Sequence, residues 1–83
     1  MNNYTVELIK LAKRLDRPLE IQYADATYKY LVSINNVVTK DNHLRQSIHG
    51  VGFTIEDACY DFLRKCRGLD LENWKTNKTI EVI

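Results

Sequence analysis

The sequence predicts an α+β domain: an antiparallel β-sheet of four to five strands with two helices packed on one face, in the order α-β-β-β-α-β-β. Three observations carry this reading. Residues 53–68 hold almost every local signal of an amphipathic helix. Two segments, 19–23 and 28–34, alternate apolar and polar residues with the period of a half-buried strand. A helical period also runs through residues 3–17 and stops at a proline.

Residues 53–68 come first because the remaining elements are placed around them. Thr54 is the expected N-cap, its hydroxyl accepting a backbone N–H of the first turn, with Asp57 positioned to complete a capping box. Glu56 and Asp57 lie at the positive end of the helix dipole, and Arg64, Lys65 and Arg67 at the negative end. Gly68 stands where the chain leaves the helix in a left-handed conformation. Ile55, Ala58, Cys59, Phe62, Leu63 and Cys66 form one apolar face at helical spacing. Asp61 and Lys65, four residues apart in the favourable order, add an exposed ion pair. Such a one-sided helix needs an apolar surface beneath it, and a sheet provides one.

In chain order, residues 3–17 form the first helix. Asn3 is its cap, and Tyr4, Leu8, Leu11, Ala12 and Leu15 make its apolar face. Pro18 ends it. Residues 19–23 and 28–34 form a hairpin around the turn 24–27. In the expected register Tyr23 faces Tyr28, Ile21 faces Tyr30, Leu19 faces Val32, and Gln22 meets Lys29. The apolar sets then share one face. In residues 35–42, Val37 and Val38 suit an extension of the strand, and Lys40, Asp41 and Asn42 suit a turn. A shorter, more polar strand covers 44–49, and Gly50-Val51-Gly52 links it to the second helix. After Gly68, strands over 69–75 and 78–83 flank a turn at Thr76-Asn77, with Trp74, Ile80 and Val82 as the apolar contacts.

The chain has 83 residues, which predicts a single domain over 1–83 of modest stability, one that a homodimer would support. Its formal charge of +1 removes the simple electrostatic case for a nucleic-acid binder or an acidic nucleic-acid mimic. No apolar run approaches membrane-spanning length. The N-terminal residues lack the pattern of a signal peptide, so the expected location is a reducing cytoplasm, with both cysteines as free thiols.

Several residue sets invite a chemical role. Cys59 and Cys66 lie on one apolar helix face, roughly 10 Å apart at ~1.5 Å per residue, too far to bridge, and read as core packing. His43 and His49 have no partners at metal-ligand spacing, so no metal and no cofactor is expected. With no nucleophile–base pair in view, the chain reads as a binder rather than an enzyme. His49, Gly50, Gly52 and Thr54 precede a helix N-terminus and form a candidate anion-binding loop. Glu56 and Asp57 oppose that use. Lys10, Lys13, Arg14 and Arg17 fall at i, i+3, i+4 and i+7 on the polar side of the first helix, with Val6 in the same stripe. The stripe reads either as a solvated face with its charges drawn to the C-terminal end of the helix dipole or, since an apolar residue among cations points to contact, as the candidate partner-binding site formed by these five residues. Tyr23, Tyr28 and Tyr30 share a sheet face, as core beneath the helices or as a stacking platform.

Three resemblances add expectations. The α-β-β-β-α order resembles a double-stranded-RNA-binding domain, but the family's phosphate-gripping lysines would stand where this chain has Glu56, Asp57 and Asp61, of opposite sign. The run Gly52-Phe53-Thr54-Ile55-Glu56-Asp57-Ala58 is similar to the helix opening of HicB-type antitoxins. Gly50, Gly52, Thr54, Glu56, Asp57, Ala58, Asp61, Phe62, Arg67 and Gly68 together resemble a pattern in small phage-encoded proteins of Gram-positive bacteria. That resemblance implies no activity but does imply an origin in a phage or mobile element in a bacterial cytoplasm. Together with the small size, the near-neutral charge and the lack of a catalytic set, it makes the leading expectation a protein that inhibits a host or defence factor by binding it, of anti-CRISPR or other anti-defence type. The alternatives are a sponge for a small anionic nucleotide signal and a nucleic-acid-binding or antitoxin-like regulator. The expected partner is thus a host or defence protein, ahead of an anionic nucleotide and of nucleic acid, with no membrane.

Overall fold

A computed structural model describes residues 3–41 and 44–82. It is an α+β fold of two helices and seven strands: α1 (Tyr4–Arg14), β1 (Leu19–Ala24), β2 (Lys29–Ile34), β3 (Val37–Asp41), β4 (Leu44–Gln46), β5 (Gly50–Gly52), α2 (Ile55–Cys66), β6 (Asp70–Asn73) and β7 (Lys78–Glu81). The strands are divided between two antiparallel sheets, β1-β2-β5 and β4-β3-β6-β7. The sequence suggested one sheet of four to five strands; Asn35 and Asn36 instead pass the chain from the first sheet to the second. Asn36 takes a left-handed φ of 64°, and its carbonyl accepts the Trp74 N–H at 3.0 Å.

The second helix forms as its local signals require. The Thr54 hydroxyl accepts the Asp57 N–H at 3.0 Å, and Gly68 has a φ of 79°. Ala58, Cys59, Phe62, Leu63 and Cys66 are all buried. This helix packs on β5 and β2, while α1 packs on α2 and touches β1. The core gathers Leu8 and Leu11 from α1, Leu15 from its C-cap, and Val32 and Ile34 from β2. Val37, Leu71 and Ile80 from the second sheet join the same cluster, so one core serves both sheets.

Glu56 joins the two helices. Its carboxylate accepts the Tyr4 N–H at 3.0 Å, the Thr5 N–H at 2.8 Å and the Thr5 hydroxyl at 2.7 Å. Together with Asn3, which accepts the Val6 N–H at 3.1 Å, it satisfies donors that a helix start leaves free. The Thr5 hydroxyl bond, reinforced by the two N–H bonds, holds the Glu56 carboxyl below its ordinary range. The other end of α1 is fixed by Asn73, whose side-chain amide donates to the Leu15 carbonyl at 2.8 Å.

Several boundaries differ from expectation. The first helix stops at Arg14 rather than residue 17, because Asp16 turns left-handed at φ 59° and Arg17 donates its N–H back to the Ala12 carbonyl. The hairpin register places Tyr23 opposite Tyr30, Ile21 opposite Val32, Leu19 opposite Ile34 and Gln22 opposite Leu31. Tyr28 is therefore a turn residue at φ 56°, 73% exposed, and not a strand neighbour of Tyr23. Gly50-Val51-Gly52 is a strand paired with β2, not a link. Trp74, expected as a core contact, is half exposed. Asn42, read above as a turn residue, His43, read as a histidine without metal partners, and Ile83, the end of the expected last strand, lie outside the described residues.

The outer edge of β5 is closed by α2. Asp61 accepts the Val51 N–H at 3.0 Å and the ammonium of Lys65 at 3.0 Å, and Arg64 bonds its other oxygen at 2.6 Å. Lys65 also donates to the His49 carbonyl at 2.9 Å. Burial acts to raise the Asp61 pKa, but Arg64, the Val51 N–H and Lys65 outweigh it and lower the value from 3.8 to about 2. A depressed carboxylate stabilises the fold above its unfolded pKa and loses that contribution as pH falls through the folded value. The shift corresponds to about 2 kcal/mol for a group this buried. Asp61→Asn is expected to lower stability by about that amount at pH 7. It should also flatten the loss of stability between pH 4 and pH 2 in urea titrations; an acid limb identical to wild type would contradict the assignment.

Candidate functional site

The α1 stripe sits on the outside of the molecule. Lys10, Lys13 and Arg14 are exposed, and Arg17, beyond the helix end, is half-buried. Helical spacing puts two apolar residues in the same band, Val6 at 42% and Ile9 at 37% exposure. Among the described residues no carboxylate pairs with Lys10, Lys13 or Arg14; the acidic groups near the helix ends are engaged elsewhere, Glu7 with Arg67 at 3.6 Å and Asp16 with Lys78 at 3.2 Å. Arg17 differs from the other three: its Nε donates to the Asn35 carbonyl at 3.1 Å. It therefore anchors the chain after α1 to the corner between the two sheets. The sequence reading included Val6 but missed Ile9. Its spacing three residues after Val6 and four before Lys13 was the available signal.

The result is a band with an apolar centre and a cationic border on a helix whose two ends are tied by Glu56 and Asn73. Burying Val6 and Ile9 against a partner would remove apolar surface from water, at roughly 25 cal/mol per Å2. The cations would add attraction to a negative surface, most strongly at low salt.

The second candidate set does not converge on a ligand. Gly50 and Gly52 are pressed beneath α2, where an added Cβ at Gly52 would lie 2.5 Å from the Ala58 nitrogen. The Val51 N–H is held by Asp61, and the Thr54 hydroxyl serves Asp57. His49 is exposed, with its carbonyl bound by Lys65. The donors around this loop thus hold α2 and β5 together, and the carboxylates of Glu56, Asp57 and Asp61 surround it.

Of the tyrosines, Tyr23 and Tyr30 meet in a tilted ring contact at 5.0 Å between centroids, each from its own strand, while Tyr28 stands apart in the turn. Tyr4 and Tyr60 make a second pair at 4.8 Å between α1 and α2. The two cysteines are free and fully buried, and burial raises both thiols, Cys66 to about 11. Thiols so placed pack as small apolar groups.

On the face of the first sheet away from the helices lies an open groove of about 840 Å3. Gln22, Leu31 and Ser33 form its floor, and Glu20, His49 and Trp74 stand among its walls. No local pattern announces it, because its walls come from four separate segments. Among the described residues no three His, Cys, Asp or Glu side chains cluster so as to hold a metal ion, and no helix is long and apolar enough to cross a membrane. No family model matches the chain, and neither a curated protein nor a solved structure matches it.

Proposed function

We propose that this chain is a non-enzymatic binding protein that inhibits a host or defence factor by docking the α1 face on an acidic surface of that protein. The reading extends to an anti-CRISPR or other anti-defence protein of a phage or mobile element, acting in the bacterial cytoplasm. The observation that carries the docking surface is the exposed pair Val6 and Ile9 bordered by Lys10, Lys13 and Arg14, none of which has an ion-pair partner among the described residues. The phage origin rests on the sequence resemblance around Gly50–Gly68. An acidic partner fits because cations left unpaired on a tethered helix lose little freedom when a carboxylate surface meets them.

Two other classes fit less well. An anionic nucleotide meets Glu20 in the groove and three carboxylates around the glycine loop. A nucleic-acid duplex would be gripped by only one short stripe on a chain of formal charge +1.

The test uses immobilised full-length chain and nuclease-treated bacterial lysate. The wild type is expected to retain an acidic protein that the triple variant Lys10→Glu, Lys13→Glu, Arg14→Glu retains at least tenfold less well, with the variant's circular dichroism unchanged. Equal retention by the two chains would overturn the assignment of the face. Retention seen only in a parallel lysate from which the nuclease is omitted would instead point to nucleic acid.

A further inference from the structure

We propose that β1 is a pairing edge for a second copy of this chain, joining two three-stranded sheets into one continuous antiparallel sheet across a two-fold axis at Ile21.

The phase of the hydrogen bonds can be followed across the sheet. Val51 donates its N–H to Asp61, so that group points away from β2. Peptide groups alternate along a strand, so Gly50 and Gly52 bond to Val32 and Tyr30. The same alternation in β2 turns Leu31 and Ser33 toward β1, where Gln22 and Glu20 stand opposite them. The N–H and C=O groups that β1 turns outward are therefore those of Leu19, Ile21 and Tyr23. Among the described residues no side chain bonds to these groups.

The two edges of this sheet are treated differently. The β5 edge is short and clamped under α2 by Asp61 and Lys65. The β1 edge is six residues long and has no lysine, proline or bulge within it, the usual devices that block strand addition. Ile21 and Tyr23 are nearly half exposed beside it.

The pattern of β1 matches a copy of itself. With the two-fold axis at Ile21, Ile21 faces Ile21 of the other copy and Leu19 faces Tyr23. All are outward-pointing residues, so each opposed pair exchanges two hydrogen bonds. Glu20 faces Gln22 in both directions, carboxylate against amide donor, and the apolar residues meet on the helix side. A register two residues shorter would set Glu20 against Glu20. One two residues longer would leave Leu19 unpaired and set Gln22 against itself. A one-residue slip would oppose inward-pointing groups. The interface is isologous, as a closed dimer requires.

Two variants and one size measurement test the proposal on the full chain. Light scattering on a sizing column should give a dimer mass at high micromolar concentration. Ile21→Lys, which places two ammonium groups face to face at a position half exposed in the single chain, should weaken association at least tenfold with circular dichroism unchanged. Ile21→Cys should form a reducible dimer under mild oxidation, because opposed residues of a bonded pair stand about 5.5 Å apart at Cα, within disulfide reach. Cys59 and Cys66, fully buried, do not compete. Gln22→Cys should not cross-link. A wild type that stays monomeric and an Ile21→Cys chain that does not cross-link would overturn the proposal. So would a dimer untouched by Ile21→Lys, or one that cross-links through Gln22→Cys. Should Ile21→Lys fail to fold, the two cysteine variants decide.

Discussion

Gly50→Ala is expected to remove more than half of the protein's stability. The added Cβ would land on the Ala58 carbonyl oxygen and come within 2.8 Å of the Phe62 nitrogen and 2.9 Å of its Cβ. Two of these three atoms are backbone of α2, which cannot move aside as a side-chain tip can. Relief would require α2 to lift from β5, breaking the Asp61–Val51 and Lys65–His49 bonds and loosening Phe62 from the core. The cost should reach or exceed the ~3 kcal/mol at the upper end of ordinary overpacking. A small domain has only about 5 kcal/mol or slightly more to lose. Gly68→Ala is the control. Gly68 has nothing within 4 Å of its Cβ position but a φ of 79°, so its cost is conformational and about 1–2 kcal/mol. Urea unfolding followed by far-ultraviolet circular dichroism would separate the two. A Gly50→Ala chain as stable as Gly68→Ala would contradict the described seating of α2 on β5.

Asn73→Ala is expected to cost about 3 kcal/mol through a buried carbonyl and a part-buried N–H left unpaired and a small cavity. Asn73 is 2% exposed. Its amide bonds the Leu15 carbonyl at 2.8 Å, and its side-chain oxygen accepts the Lys75 N–H at 3.1 Å. The first bond satisfies a carbonyl that the end of α1 leaves open and ties that helix to the second sheet. Asn73→Asp keeps the shape and the bond to Lys75 but turns a charged oxygen toward the Leu15 carbonyl. That carboxyl would be raised in pKa by burial, so its penalty is largest above its folded pKa and shrinks as pH falls below it. Asn73→Asp should therefore be less stable than Asn73→Ala at pH 7 and recover relative to it near pH 4. Parallel pH profiles for the two variants would contradict the proposed role.

These two residues also mark what the sequence could and could not convey. The second helix was legible from end to end, because Thr54, the apolar face from Ile55 to Cys66, and Gly68 are all local signals. The free, buried cysteines followed from the same face. The hairpin was legible as a pair of strands but not in its register. A shift from Tyr23–Tyr28 to Tyr23–Tyr30 keeps the same residues on each face, so alternation cannot distinguish the two. What decides is the left-handed turn residue Tyr28. Gly50-Val51-Gly52 read as a link because two glycines in three residues carry no strand propensity. It becomes a strand only because α2 needs a surface without Cβ atoms to lie on. The division into two sheets was invisible for a related reason: β3 pairs with β6, on the far side of α2, and no local pattern announces that partner.

For the candidate site, the α1 stripe was readable because exposed charge follows helical spacing, and four of its five residues remain on the solvent side. Arg17 moved out of the face when the helix ended at Arg14 and its guanidinium took the Asn35 carbonyl. Ile9 entered it. The glycine loop looked like an anion cradle from residue types alone, and the carboxylate that fills it, Asp61, comes from two turns further along the helix.

Under the proposed function the α1 face, and not another surface, meets the partner. Lysine acylation on the complex, read residue by residue by mass spectrometry, tests it most directly. Lys10, Lys13, Lys75 and Lys78 are all exposed in the free chain. In the complex, Lys10 and Lys13 should become at least several-fold less reactive while Lys75 and Lys78 keep their free-chain rates. Lys10 and Lys13 reacting as fast in a demonstrated complex as in the free chain would contradict the account.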